Sequence, residues 1–142
     1  MARLSPRQHD TLVAVAEAAL PQGRFIPAAG ESTVAKVEQL VDRLPSPLQR
    51  GLGGLLAALD ATSWIGEQRS FARVSPEKRL AMLESWRHGD PIRRLMLRAL
   101  VSPLKMAHFD DPALYKRLGC VYDAEKIRGE AKPAYMRDRV HD

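Results

Sequence analysis

Prolines that directly follow serine or aspartate divide this chain into helix-length segments. Five such pairs precede an expected helix, at Ser5-Pro6, Ser46-Pro47, Ser75-Pro76, Asp90-Pro91 and Asp111-Pro112, and a sixth, Ser102-Pro103, lies inside the expected fifth helix. Serine and aspartate are strong N-cap residues, and proline is favoured in the first turn of a helix because its missing N–H is not needed there. Each of the first five pairs therefore predicts the start of a helix. The intervals between the pairs are too irregular to indicate a structural repeat.

Apolar residues recur at helical spacing after these starts. The first helix opens with a capping box at Ser5–Gln8, and residues 46–49 repeat that pattern at the start of the third. The second helix is expected to begin at Ser32 or Thr33 and to end at Pro45. No segment shows the alternating, β-branched pattern of a strand. The chain is therefore predicted to be all-α, a compact bundle of five to six helices with an extended C-terminal arm.

Length and composition fit one domain followed by a tail. The chain has 142 residues, of which 45% are hydrophobic and 27% charged, and this is enough to bury a core. We expect a helical domain over residues 1–122 and an extended or partly disordered tail over residues 123–142. The tail mixes five acidic with five basic residues and has little apolar periodicity. Its few apolar residues also allow an arm that orders against a partner.

The segments that would direct the chain to a membrane or out of the cell are not seen in the sequence. Cys120 is the single cysteine, so no intrachain disulfide can form, and this fits a reducing compartment. No apolar run has the roughly 18 residues that a membrane span needs, and the N-terminus carries neither a signal peptide nor a twin-arginine pair. We therefore expect a cytoplasmic protein.

The basic charge has several interpretations. The net charge is +5, and the basic residues are mixed with acids along most of the chain. Arg94, Arg98 and Lys105 share a narrow face of the predicted fifth helix. That face could be solvated surface, a binding site for the acidic surface of a partner, or a weak nucleic-acid site.

The predicted fifth helix is apolar on almost every side between Ile92 and Ala107. Such a helix is either the central helix of a small domain or one that also contacts a second protein. The central position is the favoured interpretation. Pro103 is expected to bend this helix.

No group of residues forms a convincing catalytic, cofactor-binding or metal-binding set. The sequence Gly51-Leu52-Gly53-Gly54 lacks the preceding strand and the following Lys-Ser/Thr that a phosphate loop needs. The histidines have no metal-ligand spacing and are expected at the surface or at helix ends; they are His9, His88, His108 and His141. The large aromatic residues are expected in the core; they are Trp64, Phe71, Trp86 and Phe109.

Four stretches in a fixed order give the chain a family resemblance. They are LSPRQHDTL at 4–12 with AALP at 18–21; IP at 26–27 with AG at 29–30 and VxxV at 34–37; FxxxSPEKR at 71–79 with LESW at 83–86; and LYKRLG at 114–119 with Tyr122. Together they resemble the gluconate 2-dehydrogenase subunit 3 type, the small helical subunit of membrane-associated sugar and alcohol dehydrogenases. They are also similar to the helical N-terminal region of long-chain alcohol oxidases of the glucose–methanol–choline flavoprotein family.

The resemblance implies a non-catalytic accessory subunit that binds and stabilises or matures an FAD-dependent oxidoreductase acting on an alcohol, sugar or sterol. It implies that the large partner subunit of this hetero-oligomer holds the FAD, and that this chain holds no cofactor. The apolar residues expected at the interface lie on the fourth and fifth helices and in the tail; they are Trp86, Leu97, Val101, Leu104, Ile127, Tyr135 and Met136. The alternative is a free-standing helical binding or regulatory module, for which nucleic acid contacted through Arg94, Arg98 and Lys105 is one candidate ligand. A third and weaker alternative is an enzyme in its own right.

Overall fold

A computed structural model describes residues 4–24 and 26–117 of the chain. These residues form six α-helices and a one-turn 3₁₀ helix, with no β-strand, which confirms the all-α prediction. The elements are α1 (Pro6–Ala19), α2 (Glu31–Val41), α3 (Ser46–Glu67), the 3₁₀ turn (Phe71–Arg73), α4 (Pro76–Arg87), α5 (Pro91–Phe109) and α6 (Pro112–Arg117).

The described residues fall into two units that divide between Phe109 and Asp110. Helices α1 to α5 belong to the first unit, and α6 belongs to the second. The predicted tail at 123–142 lies outside the described residues. Within the described part of the chain, no helix is both long enough and apolar enough to cross a membrane.

Local capping explains several of the helix starts. At α1, the Gln8 N–H donates to Ser5 Oγ at 3.2 Å and the Ser5 N–H donates to Gln8 Oε1 at 2.9 Å, which confirms the capping box. At α5, the Arg93 N–H donates to Asp90 Oδ1 at 2.9 Å. At α6, the Ala113 N–H donates to Asp111 Oδ1 at 3.0 Å. Ser75 is the N-cap of α4 without a side-chain hydrogen bond.

One predicted capping box and one predicted helix start are wrong. Helix α3 begins at Ser46 itself with Pro45 as N-cap, and no capping box forms there. Gln49 Nε2 instead donates to the Leu44 carbonyl at 2.9 Å and holds the turn between α2 and α3. Helix α2 begins at Glu31 after Gly30, because the Thr33 side chain is buried and is used in a contact with another helix.

Helix α1, not α5, is the central helix of the first unit. It contacts α2, α3, the 3₁₀ turn, α4 and α5, and Leu12, Val15 and Ala16 on it are fully buried. Its alanines let neighbouring helices approach from several sides. Helix α5 buries Leu100 and Leu104 on one face only, so the prediction that it is central is wrong. It is continuous through Pro103.

A buried carboxylate joins α1, α3 and the 3₁₀ turn. The side chain of Asp60 on α3 is 9% exposed, and its Oδ2 accepts from Arg7 Nε at 2.8 Å and lies 2.7 Å from Arg7 Nη2. Its Oδ1 accepts from the buried Phe71 N–H at 2.9 Å. Asp60 thereby fixes the turn that leads from α3 into α4.

The aromatic residues divide between core and surface. Phe71 and Trp86 are buried in the core, as predicted. Trp64 is not: it is 48% exposed, and the Arg7 guanidinium lies 5.8 Å from its ring centroid. The prediction that Trp64 fills the core is wrong, because it lies near the C-terminal end of α3, beside the exposed Ile65.

One helical glycine has a packing reason. A Cβ on Gly53 of α3 would lie 2.9 Å from Gln8 Nε2, the atom that donates to the Gly53 carbonyl at 3.3 Å. A side chain at this position would push Gln8 away and weaken both this contact and the α1 capping box. Gly51 and Gly54 face open space.

Candidate protein-binding site

Helix α5 carries an exposed apolar face. Ile92, Leu95 and Met106 are 70%, 66% and 67% exposed, respectively, and the smaller Ala99 is also exposed. Their spacing of i, i+3, i+7 and i+14 places them along one side of the helix. We call these four residues the outer stripe. Contiguous exposed apolar surface on a folded domain often marks a site of protein interaction.

On its other flank α5 forms a groove with α4 and the C-terminal end of α1. The groove has a volume of about 410 Å³. Its apolar floor includes Ala18 from α1, Leu83 from α4, and Leu97 and Val101 from α5. We call it the basic groove because its rim carries the cations Arg87, Arg94, Arg98 and Lys105.

The three rim cations that belong to α5 are available to a ligand. Arg94, Arg98 and Lys105 are exposed, and none forms an ion pair with the other described residues. Arg87, from α4, lies 3.5 Å from Glu84 Oε1 within its own helix. Arg94 and Lys105 are separated by three helical turns, which is about 16 Å along the axis. The rim is therefore a row of positive charge beside an apolar floor.

The residues predicted for a partner interface divide into three groups. Leu97 and Val101 are half-buried and line the basic groove. Trp86 and Leu104 are buried in the core, so they are not on the surface and cannot contact a partner directly. Ile127, Tyr135 and Met136 lie outside the described residues.

The outer stripe was not predicted as an interface, although its residues were visible in the sequence. The all-round apolar character of α5 contained the signal, but the same pattern fits a buried central helix. Only the position of α1 in the bundle separates these two interpretations.

Two histidines make contacts that sequence spacing did not indicate. His108 is buried, and its Nε2 donates to the Pro27 carbonyl at 2.8 Å while its Nδ1 lies 3.1 Å from Thr33 Oγ1. It lies in the last turn of α5, as expected for a helix-end histidine, but it is buried and joins α5 to α2 and to the loop that precedes α2. Among the described residues, no group of three histidine, cysteine or acidic side chains could hold a metal ion.

His9 lies between two carboxylates of α2. Its Nδ1 is 2.7 Å from Glu38 Oε1, and its Nε2 is 3.0 Å from Glu31 Oε2. The hydrogen bond to Glu38 raises the pKa of His9, and the bond to Glu31 acts in the same direction against the opposing effect of partial burial. Protonated His9 thereby links α1 to α2.

Replacing His9 with glutamine should make the stability of the bundle less dependent on pH. The folded state holds the His9 proton more tightly than the unfolded state does. The stabilisation is therefore complete below about pH 6.5 and is lost as the pH rises through the raised pKa. Urea unfolding at about pH 6 and pH 8.5 measures this. The difference between wild type and His9→Gln should be larger at the lower pH.

His88→Gln is the matched control, because His88 is an exposed histidine paired with Glu84 of its own helix. This variant should track the wild-type protein closely at both pH values. An equal effect of His9→Gln at the two pH values would contradict the proposed link.

The comparisons with known proteins do not add a relative from which a site could be transferred. The chain matches no protein-family model, no curated protein and no solved structure.

Proposed function

We propose that this chain is a non-catalytic accessory subunit that binds and stabilises or matures an FAD-dependent oxidoreductase of the glucose–methanol–choline type. The partner holds the FAD and acts on an alcohol, sugar or sterol. The observation that carries the proposal is the outer stripe, in which Ile92, Leu95 and Met106 are about two-thirds exposed on one helix face. The class of partner comes from the family resemblance of the four sequence stretches, which occur in a fixed order along the chain.

The outer stripe is suited to docking because it is held on a fixed support. The opposite face of α5 is anchored by Leu100 and Leu104, both fully buried. Binding therefore does not require the helix to be ordered first, and this lowers the entropic cost of association. A row of side chains at this spacing is also the type of ridge that packs into the groove of a second helix.

Co-expression with the glucose–methanol–choline-type flavoproteins of the same genome tests the proposal. One of these flavoproteins should co-elute with the chain in size-exclusion chromatography, with visible flavin absorbance in the shared peak. Its soluble yield or flavin content should fall when the chain is left out. A chain that elutes alone in every combination, or a flavoprotein unchanged by its absence, would contradict the proposal.

The double substitution of Ile92→Ser with Met106→Ser should weaken the complex by at least about tenfold. Full burial of each large apolar side chain contributes roughly 1.5–3 kcal/mol, and about 1.4 kcal/mol corresponds to a factor of ten in affinity. Isothermal titration calorimetry with the purified flavoprotein measures this change. Both side chains are largely exposed, so the fold should be retained.

Leu48→Ser is the matched control for the outer stripe. Leu48 is an exposed leucine on α3 and does not belong to the outer stripe. This variant should bind the flavoprotein as the wild type does. Equal loss of affinity in the stripe and control variants would show that binding does not use the outer stripe.

A further inference from the structure

We infer that the basic groove binds an amphipathic helix of the partner protein, with acidic residues along one edge of that helix. The inference rests on the proposed function because it requires a protein partner. It adds the chemical character of the partner segment that docks in the groove. Its first support is charge. Arg94, Arg98 and Lys105 line one rim and form no ion pair with the other described residues. A row of like charges without partners favours a ligand of the opposite sign.

The apolar floor of the groove favours a ligand that has an apolar face next to its negative charges. Leu83, Leu97 and Val101 contribute aliphatic side chains, and Ala18 and Ala19 leave room at the α1 end. Leu97 and Val101 are only half-buried, so a ligand in contact with them would remove further apolar surface from water. Apolar residues on one face and acids on its edge are the pattern of an amphipathic helix.

The spacing of the rim also fits a helix. The rim cations of α5 stand at i, i+4 and i+11, and therefore extend over about 16 Å along one side of the groove. A partner helix lying alongside α5 could present carboxylates at the same spacing. A small anion could meet only part of this row, and small-molecule sites enclose most of their ligand.

Nucleic acid fits the groove less well than an acidic helix does. Protein–DNA interfaces are more polar than protein interfaces, and single-stranded sites offer aromatic side chains on which bases stack. The described residues that line this groove include no aromatic side chain.

A synthetic peptide tests the inference on the 142-residue chain. The probe is a fluorescein-labelled helical peptide of about 18 residues, with leucines on one face and glutamates at the rim spacing. A second peptide carries lysine in place of every glutamate, and a single-stranded DNA of similar length is the third probe. Binding is measured by fluorescence anisotropy at about 50 and 150 mM salt.

The glutamate peptide should bind saturably, and more tightly at the lower salt concentration. The charge reversal of Arg94→Glu with Arg98→Glu should weaken its binding by at least about tenfold. The lysine peptide should instead bind this reversed variant better than it binds the wild type. That rescue would also show that the variant remains folded.

Arg43→Glu with Arg50→Glu is the matched control. Both arginines are exposed and lie outside the groove, and the pair makes the same change in net charge. This variant should bind the glutamate peptide within about twofold of wild type. A similar loss in both double variants would overturn the inference, because binding would then follow overall charge.

Three other outcomes would also overturn the inference. The first is that the glutamate peptide does not bind at all, and the second is that the lysine peptide binds the wild type as tightly as the glutamate peptide does. The third outcome is DNA that binds through Arg94 and Arg98 and displaces the peptide. The last would identify a nucleic-acid site. These failures are separate from failure of the proposed function. If a flavoprotein still co-elutes with the chain and this depends on the outer stripe, the proposal of an accessory subunit stands. Only the ligand assigned to the basic groove is then rejected.

Discussion

Replacing Phe71 with alanine is expected to lower the free energy of unfolding by about 3–5 kcal/mol. Phe71 is fully buried in the core cluster and is the large apolar side chain of the short 3₁₀ turn, which contacts α1 and α3. The change removes apolar contact and leaves a cavity that neighbouring helices cannot easily fill. Equilibrium urea unfolding followed by circular dichroism measures the loss.

Two comparisons separate cavity formation from general damage to the turn. Phe71→Leu retains an apolar side chain and should cost less than half as much as the alanine variant. Leu80→Ala truncates a side chain on α4 that is about half exposed and should cost less than about 1 kcal/mol. A loss below about 1 kcal/mol in Phe71→Ala would mean that the turn is not part of the cooperative core.

Asp60→Ala is expected to lower the free energy of unfolding by about 2–3 kcal/mol. The change leaves the buried Phe71 N–H without its acceptor and removes the hydrogen bonds from Arg7. The largely exposed Arg7 guanidinium can return to water, so loss of the acceptor for Phe71 should account for most of the cost. The effect is measured by the same unfolding experiment.

Asp60→Asn separates the contribution of the hydrogen bond to Phe71 from that of the ion pair with Arg7. Asparagine retains an oxygen that can accept from the Phe71 N–H but removes the ion pair with Arg7. It should cost about 1 kcal/mol. A cost equal to that of Asp60→Ala would show that the ion pair, and not the backbone hydrogen bond, makes the larger contribution. Lys78→Ala, which breaks the exposed pair with Glu67, should cost less than either variant.

The starts of the helices could be predicted from the sequence where the determinants are local. Ser5 and Gln8 satisfy each other's backbone within one turn, and Asp90 and Asp111 accept from N–H groups two or three residues ahead. These contacts depend on neighbours in the chain, so a short stretch of sequence specifies them. Ser46 resembles Ser5 in its sequence pattern, but Gln49 turns back to Leu44 instead.

The packing partners could not be predicted in the same way. Asp60 accepts from Arg7 and Phe71, and His108 meets Thr33 and the Pro27 carbonyl, across large separations in sequence. These contacts depend on how α1 is surrounded. For the candidate site, the row formed by Arg94, Arg98 and Lys105 follows from helical periodicity alone. The floor that α1 and α4 supply does not.

The interior proline of α5 leaves a backbone carbonyl without its helical donor next to the outer stripe. Pro103 has no N–H, so the carbonyl of Ala99, one turn earlier, lacks its usual α-helical donor. Ala99 is itself an exposed member of the stripe. A partner that covers this surface must supply a donor to that oxygen or enclose a water molecule there, because an unpaired carbonyl is costly once buried. For a partner that docks there, as proposed above, apolar complementarity alone would therefore not satisfy this backbone acceptor.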